Sequence, residues 1–305
     1  EAHFGVPIAG AVLNAINTRL DARTIAYILD HGEAKALLVD RELTTLAADA
    51  LGLLEHKPHV IDIDDELALN GESIGEFEYE ELLDGGDPSF AWLLPNDEWD
   101  TISLNYTSGT TGKPKGVVYH HRGAYLNALG NALSWEMPLH PTYLWTLPMF
   151  HCNGWCFTWT LAALGGTSVC LRRVETATMY AAIAEHQVTH LCGAPIVMQL
   201  LLEGSDEAQA TFTHEVSMMT AAAPPPAAIL KGMRKKGFTV THAYGLTETY
   251  GPALVCARQE DWPQLSADEL AERKARQGLP YPVEEDVMVA APQTLEPVAR
   301  DVIEA

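Results

Sequence analysis

Short apolar runs alternate with helix-periodic segments along most of the chain, and this alternation narrows the fold more than any other feature. Residues 21–31 carry apolar side chains at helical spacing (Ile25, Ile28, Leu29), with Asp21 placed to cap the segment and Gly32 to stop it. Residues 11–16 form a short apolar run, 34–39 read as a buried strand, 41–51 as a second helix and 59–63 as another strand. A βαβαβ rhythm of this kind argues for a parallel sheet. The rhythm returns further on. Residues 122–135, 177–186, 195–202 and 225–236 read as helices, with Pro195 and Pro225 in first-turn positions. Residues 143–147, 167–171, 189–192, 216–220 and 239–241 read as strands. Between the two series, residues 64–100 are acidic and aperiodic, which predicts a surface excursion with a short helix over 77–83.

The centre of the chain interrupts this pattern with Tyr106-Thr-Ser-Gly-Thr-Thr-Gly-Lys-Pro-Lys-Gly-Val117, set between apolar runs at 101–104 and 116–119. A loop of glycines, hydroxyls and two lysines between strands can turn backbone N–H groups and positive charge toward one point, which suits a polyphosphate. It is not a Walker A loop: that motif needs four residues between its glycines and Ser/Thr after the lysine. Here two residues separate Gly109 from Gly112, and Pro114 follows Lys113.

The order of residues in this loop resembles the signature of the adenylate-forming superfamily, which includes acyl-CoA synthetases, luciferases and peptide-synthetase adenylation domains. His242-Ala-Tyr-Gly-Leu-Thr-Glu-Thr249 resembles that family's second nucleotide motif, and Pro148-Met-Phe-His-Cys-Asn-Gly-Trp155 its acyl-pocket motif. The resemblance runs from Gly5 to the end of the chain. It implies an α/β fold of two lobes with mainly parallel sheets, residues 1–147 with the phosphate loop and 148–277 with the acyl and adenine pockets. Residues 278–305 would begin a small β-barrel that is not completed. The family's opening segment, its Thr-Gly-Asp ribose motif and its small C-terminal domain with a catalytic lysine are absent here. The chain alone is therefore expected to have little activity.

The activity so implied joins a carboxylic acid to coenzyme A through an acyl-adenylate, with ATP and Mg²⁺. Lys113, Thr247 and Glu248 are the expected catalytic residues. Thr107, Ser108, Gly109, Thr110, Thr111 and Gly112 would wrap the β- and γ-phosphates, and Lys115 would add charge. Tyr244 would stack on adenine, with Ala222, Ala223 and Pro224 as its wall; the family often has Gly where Ala222 stands. Thr247 would touch the α-phosphate and Glu248 would hold Mg²⁺ as an oxygen ligand. His151 would gate the acid pocket, with Trp155 along one wall and Gly245, Tyr250, Gly251 and Pro252 forming the other. Arg122 and the cluster Lys231, Arg234, Lys235 and Lys236 are candidates for a coenzyme A phosphate, against the plain reading of solvated helix ends. His120 and His121 receive no role. The run around Trp155 is most similar to plant acyl-activating enzymes and 3-methylmercaptopropionyl-CoA ligases, and a bulky Trp155 favours short or medium acids. A carrier-protein thiol as acceptor and a non-catalytic nucleotide-binding remnant are the alternatives.

Composition bounds the partners. The 305 residues carry a formal net charge of −22, which disfavours nucleic acid and anionic membranes. No apolar run is long and charge-free enough to span a bilayer. Five cysteines, an odd number without paired spacing, fit reduced thiols in a cytoplasmic protein better than a disulfide scaffold or a zinc site. A homodimer stays open.

Overall fold

The computed structural model describes residues 1–107, 112–204, 212–221 and 225–298. Thirteen strands among them form three sheets. The first sheet is β2 (Ala36–Asp40), β3 (His59–Ile63) and β4 (Phe77–Glu78), all parallel. The second joins β1 (Leu13–Asn14) in parallel to β5 (Thr101–Thr107), which pairs antiparallel with β6 (Lys115–His120). The third holds β7 (Thr142–Trp145), β8 (Thr167–Cys170), β9 (His190–Cys192), β10 (Val216–Thr220), β11 (Phe238–Leu246), β12 (Gly251–Val255) and β13 (Leu279–Pro280). Its order is β13-β12-β11-β10-β9-β7-β8, parallel from β8 to β11 and antiparallel beyond.

Local chemistry accounts for most boundaries. Helix Ala22–His31 begins where Asp21 Oδ1 accepts from Thr24 N at 2.9 Å and ends at Gly32. Ile25, Ile28 and Leu29 form its buried face. Helix Pro195–Glu203 starts on Pro195, whose missing N–H costs nothing in a first turn. The expected role of Pro225 does not hold. That helix spans Ala227–Lys235 with Pro226 as its cap, because two successive prolines keep the backbone extended before it. Residues 77–78 are a strand rather than helix, followed by helix Tyr79–Asp84, whose first turn Glu78 caps. The opening helix Ala2–Ile8 has Pro7 inside it and no sequence signal for it was read. After β13 the described residues hold one isolated bridge, Ala290 to Pro297, and no barrel.

The largest core lies in the third sheet, where Leu144, Met179, Ile183, Leu191, Met198, Met218 and Phe238 are sealed between strands and helices. Its His190 ring packs edge-on against Trp135 at 4.9 Å, and burial pushes its pKa from 6.5 to about 4. The folded protein therefore holds this imidazole neutral, while the unfolded chain protonates it below about pH 6.5. This contribution is complete above pH 6.5 and is lost as pH falls toward 4. The melting temperature should drop across that window, and His190→Gln should flatten the drop, as thermal melts at stepped pH would register.

A guanidinium ties the first sheet to the third. Arg172, just past β8, grips Asp40 with two bonds of 2.8 and 2.9 Å and reaches Asp65 at 2.8 Å and Glu42 at 3.3 Å. Its hydrogen bonds hold the Asp40 carboxyl below its ordinary pKa. No described helix is long and apolar enough to cross a membrane.

Candidate active site

The antiparallel ladder of β5 and β6 runs to the pair Thr107 and Lys115, so the two strands that flank the glycine-rich segment form a hairpin. Strand β6, not a helix, follows this segment, so any positive charge here comes from Lys113 and Lys115 rather than a helix dipole. Thr107 is half-buried; Gly112, Lys113 and Lys115 are exposed. Gly112 takes a φ of +90°. Lys113 Nζ lies 6.0 Å from the centre of the Tyr27 ring, and the Tyr106 hydroxyl meets His31 Nδ1 at 2.7 Å. Ser108, Gly109, Thr110 and Thr111, and Ala222, Ala223 and Pro224, lie outside the described residues.

The second motif docks on this hairpin. Strand β11 is longer than its apolar run suggested and carries Tyr244 and Gly245 inside it. Thr247, Glu248 and Thr249 form a single tight turn immediately after, at the carboxyl end of the strand. Tyr119 of β6 donates its hydroxyl to the Thr247 carbonyl at 2.6 Å and stacks on Tyr250 at 4.0 Å. The Tyr250 hydroxyl accepts from His120 N at 3.1 Å. His120 also acts as a cap, its Nδ1 accepting from Gly123 N at 2.9 Å, to open helix His121–Ser134.

The acyl-motif run lies against both. Ile102, Tyr119, Ala124, Cys152 and Cys156 form one buried cluster, against which Trp155, Trp159 and Tyr250 pack. Cys152 Sγ donates to Thr247 Oγ1 at 3.5 Å, and Cys156 Sγ to the Tyr250 carbonyl at 3.2 Å. Burial raises the pKa of both thiols, so they remain protonated at neutral pH. A Cβ on Gly251 would stand 3.0 Å from Trp155 Cα, which fixes how closely the two walls approach.

Residues Cys152, Asn153, Gly154, Trp155 and Cys156 all have positive φ, between 48° and 62°. They make one left-handed turn, closed by Trp155 N to the His151 carbonyl and Cys156 N to the Cys152 carbonyl. For side chains other than glycine such a backbone costs about 1–2 kcal/mol each, so surrounding contacts must hold it. Asn131 Nδ2 donates to the Trp155 carbonyl at 2.8 Å, and Asn127 Nδ2 to that of Pro252 at 2.9 Å. Sequence reasoning missed both. The available signal was two asparagines four residues apart in a helix otherwise poor in them.

Tyr244 is 39% exposed. Glu248 is exposed and makes no ion pair among the described residues. One exposed carboxylate beside a hydroxyl fits Mg²⁺, which keeps much of its water and binds through few carboxylates together with phosphates. Burial, and then Arg19, lowers the pKa of His151, leaving it neutral at neutral pH. Arg122 is engaged by Glu98 at 2.9 Å, and Lys236 donates to the Gly204 carbonyl at 2.6 Å. A surface recess of about 370 Å³ lined by Asp62, Glu76 and Glu81 lies elsewhere, and one of about 170 Å³, lined by Ile102, Tyr125 and Trp159, borders the cluster on its Trp159 side. Among the described residues the three motif-bearing segments meet around Tyr119 and Tyr250.

The family model described as AMP-binding enzyme matches residues 1–303. The chain belongs to the AMP-binding enzyme family. Over 314 residues it is 49% identical to a peroxisomal acetate/butyrate–CoA ligase of Arabidopsis thaliana, covering 99% of this chain and 55% of that protein. An acetate–CoA ligase of Humulus lupulus is 46% identical with the same coverage, 99% and 55%. The chain thus spans about half the length of the curated relatives it matches. Among solved structures, an anthranilate CoA ligase in complex with anthranoyl-AMP superposes with a TM-score of 0.76 at 22% identity, over 92% of this chain and 52% of that one. At that identity the likeness bears on the fold alone, and it agrees with the α/β architecture described above.

Proposed function

We propose that this chain is the nucleotide- and acid-binding part of an AMP-forming acyl-CoA synthetase using ATP, Mg²⁺ and coenzyme A. The observation that carries this reading is the meeting of the three motifs: β6 leaves the phosphate hairpin and presents Tyr119 to both Thr247 and Tyr250, while Cys152 touches Thr247 from the acyl-motif run. The membership of the family and the ligase names of the two plant relatives support it.

In this reading the chain forms two lobes, expected over residues 1–147 and 148–277 but with β7 (Thr142–Trp145) pairing in the sheet of the second, and the substrates lie where they join. A carboxylate is a poor acyl donor because its leaving group would be oxide. Attack on the α-phosphate of ATP turns it into a mixed anhydride, and pyrophosphate leaves; a thiol then displaces AMP. Most of the work is positioning and charge neutralisation. Lys113 and Lys115, with the loop of residues 108–112, hold the outer phosphates. Thr247 meets the α-phosphate, Glu248 holds Mg²⁺, and Tyr244 stacks on adenine beside Ala222, Ala223 and Pro224. Mg²⁺ when bound neutralises developing charge on the phosphate oxygens. Trp155, Gly245, Tyr250, Gly251 and Pro252 line the acid. His151 gates it as a neutral ring rather than a base, because the acid is already ionised at neutral pH.

Trp155 shortens the acid pocket, so the substrate is a short or medium-chain acid, in keeping with the acetate and butyrate in the relatives' names. Within that class 3-methylmercaptopropionate is the specific candidate from the acyl-motif run. The cytoplasmic location expected from the thiols draws no support from the Arabidopsis relative, which is peroxisomal by name. The test is AMP release by the full-length gene product with Mg·ATP over a ladder of carboxylates, with and without coenzyme A. AMP and thioester should rise together for short acids. Acid-dependent pyrophosphate exchange without thioester would point instead to a carrier-protein thiol, and silence with every acid would overturn the reading.

A further inference from the structure

The left-handed turn that carries Trp155 is bolted to the hairpin by a buried polar triad that no motif announces. Asn153 is fully buried, with Ser103 and Asn105 of β5 beside it at 0% and 2% exposure. Its Oδ1 accepts from Ser103 Oγ at 2.6 Å and from Asn105 Nδ2 at 2.8 Å, and Asn105 Nδ2 also donates to Ser103 Oγ at 3.1 Å. Thr158 Oγ1 donates to the Asn153 carbonyl at 3.2 Å. Among the described residues Asn153 Nδ2 and Asn105 Oδ1 remain buried without a partner, so the triad is not explained as an optimised core contact. Strand β5 is pinned independently by its ladders to β1 and β6. The turn pairs with no strand; beyond its own closing bonds it is held by Asn131 at the Trp155 carbonyl, by the Cys152 and Cys156 thiols at Thr247 and Tyr250, by Thr158 at the Asn153 carbonyl, and, on the β5 side, by Asn153.

We propose that Asn153 is the positioning residue of the acid wall: through Ser103 and Asn105 it anchors the left-handed turn, sets the depth of the Trp155 indole and so sets the acyl length accepted. This rests on the acyl-CoA synthetase reading. Asparagine meets both demands at once. It tolerates the left-handed backbone better than other side chains, and its carboxamide oxygen has two lone pairs for the two donors. Its failure should loosen the turn and leave the hairpin in place, which separates acid recognition from nucleotide recognition.

Two variants of the full-length protein test this. Asn153→Gly keeps the left-handed backbone and deletes the carboxamide; Asn105→Ala deletes a donor from the β5 side without touching the turn. Each should raise KM for the preferred short acid at least about tenfold and move the preference toward longer acids. ATP affinity, measured by calorimetry without acid, should stay within about twofold. The double variant should be no worse than the more impaired single one, since both break one connection. Unchanged acid KM and chain-length profile would overturn the proposal, as would ATP affinity falling in step with acid KM, the mark of general damage. If the parent protein turns over no acid, the functional reading fails separately. The anchor is then judged by the crystal structure of Asn153→Gly: a Trp155 indole that keeps its place refutes it, and a displaced one upholds it. Should Asn153→Gly not fold, Asn105→Ala carries both measurements.

Discussion

Glu248→Gln in the full-length protein should cut acid-dependent AMP formation by a factor of about 10² or more while leaving the melting temperature unchanged. The two halves of this expectation have different origins. Stability is untouched because the side chain is exposed and makes no ion pair among the described residues. Activity falls because an amide oxygen is a far weaker ligand for a hard cation than a carboxylate. The loss should therefore shrink as Mg²⁺ is raised. A titration of rate against Mg²⁺ that superimposes on the parent curve would remove Glu248 from metal binding. A uniform loss that no Mg²⁺ concentration relieves would instead give the residue a role in orienting Thr247.

Gly245→Ala should be nearly as damaging, by a purely steric route. Gly245 sits where the register of β11 against β12 shifts, opposite Pro252, and a Cβ there would overlap the Gly251 carbonyl oxygen and carbon. These are backbone atoms and cannot swing aside. The pair of strands must separate, and Gly251, whose Cα now seats against Trp155, moves with them. A cost of about 2–4 kcal/mol in folding is expected from a clash of this kind, and turnover should fall further than stability because both walls of the proposed acid site shift. Thermal melts and acid KM measured together check this. A variant with parental melting temperature and KM would mean that the close approach of the two strands is not required.

Elements specified by local chemistry were legible in the sequence. Asp21 and Gly32 bracketed a helix because capping is decided within one turn, and β3 and β10 stood out as compact apolar runs bounded by turn formers. The three motif segments that compose the proposed site stand out in the sequence for the same reason, as short local patterns. What escaped notice depends on partners distant in sequence. Strand β11 was read three residues long because Tyr244 and Gly245 look like loop residues; pairing with β12 makes them strand. The roles of Asn131 and Asn153 exist only through Trp155 and β5, neither of which their sequence neighbourhood reveals. The left-handed turn itself is held against local preference by those contacts, so no propensity argument could find it. The alanine in place of a family glycine at Ala222 lies outside the described residues.

Arg172 gives the molecule an asymmetric joint. The chain has 19 lysines and arginines against 41 acidic residues, so cations are the scarce species. At this joint one guanidinium answers Asp40, Glu42 and Asp65 together. On the acidic side the joint is redundant: any one carboxylate can be lost and two remain to hold the guanidinium. On the basic side it leans on one residue, since removing Arg172 leaves Asp40 and Asp65 without this cation and Glu42 with Arg173 alone at 3.4 Å, and a lysine, as a point charge without a planar fork, cannot address all three. Drift in the sequence is thus tolerated on one bank of the seam and barred on the other.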